Sequence, residues 1–235
     1  MYKEFNEILS GLDKKILNLD SKELQKEFEN IPLDIFGRIQ IEQSQDFPNL
    51  LHWFPKMPSV DIQKSWTGAA NNILLKQSIS FIRIVVSAYH SMACKPISQG
   101  NILDFGCGWG RLIRLLYKYV PDNNIYGVDP WDKSIEICQK TNLHGNFFIS
   151  EYVPRSLPTP NNLKFDFIMA FSVFTHLSEK VTKICSKTLK NYLTNNGVMA
   201  ITIRPREYWT FLYKNSNISS GTLRNSIING IYHPV

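Results

Sequence analysis

The chain has 235 residues, 43% of them hydrophobic and 20% charged, with a formal net charge of +6. That length supports one substantial α/β core with a small appendage, and the composition is that of an ordinary globular protein. Lysines and arginines are scattered rather than blocked, which argues against a nucleic-acid footprint. The longest apolar region, residues 79–89, is interrupted by Arg83 and too short to span a bilayer.

The opening residues, Met1 to Phe5, lack the apolar core of a signal peptide. Cys94, Cys107, Cys138 and Cys185 show no metal-ligand spacing, so no metal is expected. Cys94 and Cys185 fall on helical patterns and Cys107 in a glycine loop, which predicts free buried thiols in a cytoplasmic protein. Residues 3–30 read as two amphipathic helices. Phe5, Ile8, Leu9, Leu12 and Ile16 share a face in the first, and Asp20 with Glu23 suggests a capping box for the second.

Residues 31–65 read as irregular, rich in proline and aromatic side chains (Pro32, Pro48, Trp53, Phe54, Pro55, Pro58). A loop that apolar needs a partner, and long ordered loops often serve as lids. The lid reading places Trp53, Phe54 and Trp66 over the carboxyl ends of the strands; the competing one has them pack the amino-terminal helices onto the core. Trp66-Thr67-Gly68 then leads into a helix that aligns Leu75, Ile79, Ile82, Val86 and Tyr89. The reading divides the chain into a helical and loop extension, 1–77, and a main domain, 78–235.

The run Asn101 to Arg111 is an apolar strand with an acid, Asp104, followed by Gly106, Gly108 and Gly110. A helical pattern with Leu112, Leu115, Leu116 and Tyr119 on one face comes next. Strand, glycine turn and helix in that order make a pocket for an adenosine-bearing cofactor, because glycine turns tightly and leaves no Cβ between backbone and ligand. A dinucleotide fingerprint would need glycine at position 111, which is Arg111. Arg111 opens a helix, where a cation opposes the macrodipole; it reads as an exposed ion-pair residue, or else as the partner of an anion.

Further on, residues 125–129 read as a second strand ending in Asp129, about 20 residues past the glycines, the spacing at which a carboxylate accepts bonds from ribose hydroxyls. A third strand, 147–149, ends at Ser150 and Glu151. A fourth, 165–171, runs into Ser172-Val173-Phe174-Thr175-His176-Leu177. The next helix carries Leu177, Val181, Ile184, Cys185, Leu189 and Tyr192 on one face and closes at Asn195-Asn196-Gly197. Residues 198–203 are nearly continuously apolar, as a buried parallel strand should be. Beyond them lie a possible helix, Tyr208 to Tyr213, and a last apolar run, Ile231-Tyr232-His233.

An acid followed by Gly-x-Gly-x-Gly resembles motif I of the class I S-adenosylmethionine-dependent methyltransferases, and the segment after the fourth strand looks like that of the small-molecule members. The resemblance covers roughly residues 78–206. It implies a doubly wound, mostly parallel, Rossmann-like α/β sheet with S-adenosyl-L-methionine as cofactor. The closing antiparallel hairpin of that fold would be incomplete or truncated, since the remaining residues leave room for one strand.

The cofactor contacts it implies are Asp104, Gly106, Cys107, Gly108 and Gly110 in the loop, and Asp129, Pro130 and Trp131 after the second strand. Glu151 and Phe171, at the ends of the third and fourth strands, complete the set. His176, at the carboxyl end of the fourth strand, is the candidate proton acceptor. The turn Phe171-Ser172-Val173-Phe174 lacks the Asn/Asp-Pro-Pro-aromatic motif of exocyclic base methylation, and no Pro-Cys nucleophile is present. A small-molecule or glycan-type acceptor remains, methylated on oxygen. The rivals are a nicotinamide-dependent oxidoreductase and a non-catalytic module of the same fold. The sequence leaves the oligomeric state open.

Overall fold

The computed structural model describes residues 5–42 and 44–215. The amino-terminal part is helical throughout: α1 (Asn6–Lys15), α2 (Ser21–Glu29), α3 (Leu33–Glu42), α4 (Pro48–Trp53), α5 (Val60–Thr67) and the long α6 (Asn71–Met92). The capping box expected for α2 is present: Asp20 accepts from the backbone N–H of Glu23, whose carboxylate accepts from that of Asp20. α6 buries Leu75, Ile79, Ile82, Val86 and Tyr89, the stripe its sequence shows.

The stretch expected to be irregular instead holds three short helices. Pro48 stands in the first turn of α4, where its missing N–H is no loss, so it starts a helix rather than breaking one. Ser59 caps α5 by accepting from the Ile62 N–H, and Gly68, at φ +76°, ends it in the left-handed conformation.

The sheet is entirely parallel among the described residues. β1 (Ile102–Phe105), β2 (Ile125–Asp129), β3 (Asn146–Ile149), β4 (Phe165–Ala170) and β5 (Leu193–Ile201) lie in the order β3-β2-β1-β4-β5. The connections carry α7 (Ile113–Leu116), α8 (Asp132–Lys140) and α9 (Glu179–Tyr192), and α10 (Arg206–Asn215) follows β5. This is the expected doubly wound α/β sheet. Its order reverses between β1 and β4, and ligands of such sheets bind at the carboxyl ends beside that reversal.

Successive strand residues face opposite layers. Ile102, Phe167 and Met169 join the core shared with α1 to α4 and α6 to α8, whereas Leu103, Ile168 and Ala170 join the one under α9. The first core runs without a break from Leu9 and Phe36 to Ile102, and the boundary at residues 77/78 falls inside α6. α7 is shorter than the periodicity suggests, because hydrogen bonds to the third and fourth preceding carbonyls mix around it.

α9 ends at Tyr192 and Leu193 already pairs with Phe165, so Asn195-Asn196-Gly197 is not the helix stop it resembles. Those residues belong to an irregularity in β5, where Val198 resumes pairing at Phe167. Cys107, Cys138 and Cys185 are buried as expected, but Cys94 lies beyond the end of α6 and is exposed. Among the described residues no helix is long and apolar enough to cross a membrane. The expected strand at 231–233 lies outside the described residues.

Candidate functional site

β1 carries Asp104 to the carboxyl edge of the sheet, where the chain turns on Gly106 (φ +77°), Gly108 (φ +55°) and Gly110 (φ +78°). The three glycines serve different purposes. A Cβ on Gly106 would stand 2.3 Å from the Val173 side chain, and one on Gly110 would stand 2.1 Å from that of Leu143. Both are therefore packing positions as much as turn positions. Only Gly108 faces open space, its nearest neighbour being the Trp66 ring at 3.9 Å. Of the three, Gly108 alone has open space where a Cβ would stand.

Above this loop lies a cavity of about 360 Å³ whose lining includes Asp104, Gly106, Cys107, Gly108, Phe171 and His176. Trp66, Thr67, Gln77 and Arg111 contribute to the same walls. A second recess of about 510 Å³, between Gly108, Asp129, Trp131 and Ser134, adjoins it and shares Trp66. Six of the predicted site residues therefore meet in one cavity, and Asp129 and Trp131 lie in its neighbour. Pro130 and Glu151 line neither: Glu151 is exposed at the end of β3. Gly110 is turned toward Leu143 and also lies outside.

Asp129 is a joint as well as a wall. Its Oδ2 accepts from the Gly108 N–H at 2.9 Å, and its Oδ1 accepts from the Trp131 N–H at 2.9 Å and the Ser134 hydroxyl at 3.0 Å. The carboxylate is buried, because the start of α8 and the glycine loop close around it. Trp131 stays 41% exposed and stacks on Trp66 at a centroid distance of 4.5 Å.

Asp104 is 2% exposed, and no described residue hydrogen-bonds its carboxylate. Burial pushes its pKa up to about 7, against the lowering effect of Arg111; the charge on Asp129 raises it further. Arg111 is not the exposed ion-pair residue the sequence suggests. It is half-buried, its guanidinium lies 4.7 Å above the Phe171 ring, and burial lowers its pKa while Asp104 opposes that shift. The Cys107 sulfur is pressed against Gly127, where a Cβ would come within 2.9 Å of it. Hydrogen bonding with Cys138 and burial push the Cys107 thiol well above its ordinary range, so it is inert packing. His176 closes the short 3₁₀ turn after β4; burial, and secondarily Arg204, hold its imidazole below the usual histidine value.

The lid expectation divides. Trp66 reaches the mouth, as described. Trp53 and Phe54 do not: they pack with Phe28 and Phe36, and Trp53 stacks at 4.5 Å on His144, which precedes β3 at the amino-terminal edge. They bind the extension to the core, as the competing account requires.

Sequence reasoning missed Trp109 and Arg114. Trp109 is 2% exposed and clusters with Leu74, Ile137 and Trp66, seating α5 on the glycine loop. Arg114, buried in α7, donates to the carbonyls of Pro55 and Lys56 at 2.8 and 2.9 Å and to the Thr141 hydroxyl at 3.1 Å. A cation inside the apolar run Leu112 to Leu116 was the available signal.

Residues 102–197 match the family model described as a methyltransferase domain. Among solved structures, the plantazolicin methyltransferase BpumL, in complex with a monoazolic desmethylPZN analogue and SAH, is similar to this chain. The two share 18% identity over 88% of this chain and 71% of that one, with a TM-score of 0.51. The same enzyme with a triazolic analogue gives 18% identity, 83% and 67% coverage, and a TM-score of 0.51. Streptomyces venezuelae DesVI matches at 14% identity over 63% of this chain, with a TM-score of 0.47; the chain spans 58% of DesVI. The likenesses to BpumL carry the fold alone. The curated proteins include no match.

The lining of these two recesses fits S-adenosylmethionine. Asp104 presents to the cavity a carboxylate that no described residue hydrogen-bonds, Gly108 leaves backbone room, and Asp129 and Trp131 offer a carboxylate and an indole in the adjoining recess. A cofactor with an amino-acid end, a ribose and an adenine has a counterpart here for each part.

Proposed function

We propose that this chain is an S-adenosylmethionine-dependent methyltransferase that acts on a small-molecule or glycan-type acceptor, with oxygen as the accepting atom. One observation carries the reading: a single cavity gathers Asp104, the glycine loop, Phe171 and His176 at the carboxyl edge, beside the order reversal of a methyltransferase sheet. When bound, the cofactor supplies a methyl group already made electrophilic by its sulfonium. What remains for the protein is to orient the acceptor and to exclude water, and such positioning lowers a barrier by up to about 11 kcal/mol.

Asp129 and Trp131 would hold the nucleoside, and Asp104 and the glycine loop the amino-acid end. The wall formed by Trp66, Thr67 and Gln77 belongs to the acceptor side. His176, kept neutral at pH 7 by its lowered pKa, is suited to take the proton from an acceptor hydroxyl. The small cavity and the absence of a base-amine motif after β4 support a small acceptor over a nucleic acid. The protein is proposed to work in the cytoplasm.

Incubating the protein with methyl-labelled S-adenosylmethionine and a panel of sugars, phenols and amines tests this reading. Label transfer to a hydroxyl compound is the expected result. Transfer confined to amines would overturn the oxygen assignment, and binding of NAD in place of S-adenosylhomocysteine would overturn the cofactor.

A further inference from the structure

Five buried side-chain polar atoms find no hydrogen-bond partner among the described residues, and three of them belong to residues that line one small cavity. They are Gln40 Oε1, Trp109 Nε1 and Arg114 Nε, on side chains that are 2%, 2% and 3% exposed. The cavity, of about 30 Å³, lies between α3, α5, α6 and α7, with Ile41, Met57 and Leu115 among its apolar walls. Asp104, Gly106, Gly108 and Asp129 do not line it, so it is separate from the site proposed for the cofactor. It borders the 360 Å³ cavity through Trp109 and Arg111, which line both. The three side chains are neighbours: Gln40 Nε2 donates to the Arg114 carbonyl at 3.0 Å, and the Arg114 guanidinium lies 5.5 Å from the centroid of the Trp109 ring. The other two nitrogens of Arg114 are already engaged, on Pro55, Lys56 and Thr141, which leaves Nε unused. Each such group is costly to bury unless something completes it.

Two donors and one acceptor call for a group with two lone pairs and one O–H, which is the inventory of a hydroxyl. A carboxylate would set its oxygens against Gln40 Oε1, and an ammonium would set its protons against Trp109 and Arg114. We propose that this cavity is an anchoring subsite for the methyl acceptor, and that it takes a hydroxyl, not itself methylated, carried on an apolar body. The hydroxyl donates to Gln40 Oε1 and accepts from Trp109 Nε1 and Arg114 Nε. A cavity of about 30 Å³ holds one such end rather than a whole acceptor. The body therefore extends past Trp109 and Arg111 into the larger cavity, whose lining includes His176. The inference rests on the acceptor reading above and deepens it: the acceptor carries one hydroxyl to be anchored here and a second to be methylated beside His176.

The test titrates the cofactor-free protein, isotope-labelled in its tryptophans, with phenol and with toluene, which differ by a hydroxyl in place of a methyl group. The indole N–H resonance of Trp109, assigned in the parent chain, reports on the subsite without turnover. Phenol should move that resonance downfield and bind at least about 10-fold more tightly than toluene, the difference that one hydrogen-bonding group makes. Gln40→Met should weaken phenol by about 10-fold and leave toluene unchanged. Should that variant not fold, the parent titration still decides. Equal affinity for the two probes would make the cavity an apolar recess, and an unmoved Trp109 resonance with both would leave it to water; each overturns the proposal. Displacement of phenol by S-adenosylhomocysteine would overturn it too, by placing the hydroxyl site within that of the cofactor. If the parent bound no S-adenosylhomocysteine, the cofactor reading would fall while the phenol titration still judged the subsite, so the two failures are distinct.

Discussion

The carboxylate of Asp129 holds the backbone N–H of Gly108 at 2.9 Å, so the end of β2 fixes the middle of the glycine loop. The same carboxylate ties down the Trp131 N–H and the Ser134 hydroxyl at the start of α8. The residue proposed to meet a ribose therefore also sets the conformation of the loop beside it.

Asp129→Ala should reduce both properties. It leaves a part-buried N–H and the buried Ser134 hydroxyl without their acceptor, at about 1–3 kcal/mol. Urea denaturation should register that loss, and titration should show weaker S-adenosylhomocysteine binding. Reduced affinity with undiminished stability would separate the ribose role from the structural one.

The loop glycines should respond differently to substitution. Gly106→Ala and Gly110→Ala would drive a Cβ into Val173 and Leu143, respectively, and should lower the melting temperature whether or not ligand is present. Gly108→Ala meets no atom closer than 3.9 Å and should lose only about 1–2 kcal/mol through its positive φ. Gly108→Val should go further and nearly abolish S-adenosylhomocysteine binding, because its branched Cβ enters the cavity.

Arg114→Met should loosen the extension without touching the cavity floor. The Pro55 and Lys56 carbonyls would each lose a charged donor, at about 1–3 kcal/mol per unsatisfied group. Hydrogen exchange should quicken around residues 54–60 before it does so in the sheet.

Stability should fall between about pH 4 and pH 7. Burial raises the Asp104 pKa in the folded state to about 7 from its ordinary 3.8, so the folded state binds more protons through that window. Its contribution is fully present below the unfolded value and is lost as pH rises through 7. Asp104→Asn should flatten the profile, read as denaturation midpoints at pH 5 and pH 8. An unchanged slope would assign the dependence to another group.

His176→Ala should lower kcat by about 10²- to 10⁴-fold with an oxygen acceptor while leaving S-adenosylhomocysteine affinity intact. Because burial holds the imidazole below the usual value, the acid limb of the parent's rate profile should lie below pH 6.5. Loss of cofactor affinity in the variant would make His176 a positioning residue of the loop after β4.

Local pattern carried the order of the fold. The capping box at Asp20, the apolar stripe of α6 and the strand–glycine–helix run at 102–116 are short-range features, each decided by residues within a turn or two of each other. They were enough for a parallel doubly wound sheet. The three helices between 33 and 67 were hidden because prolines read as breakers, whereas Pro48 sits in a first turn, and because helices that short depend on packing for their stability. What each site residue faces was a tertiary matter. Val173 and Leu143 make Gly106 and Gly110 packing positions, and Trp66, 42 residues before Gly108, roofs the loop. Arg111 and Asp104 face one cavity because β1 ends beside the turn that opens α7, a relation set by the way the chain folds back on the sheet.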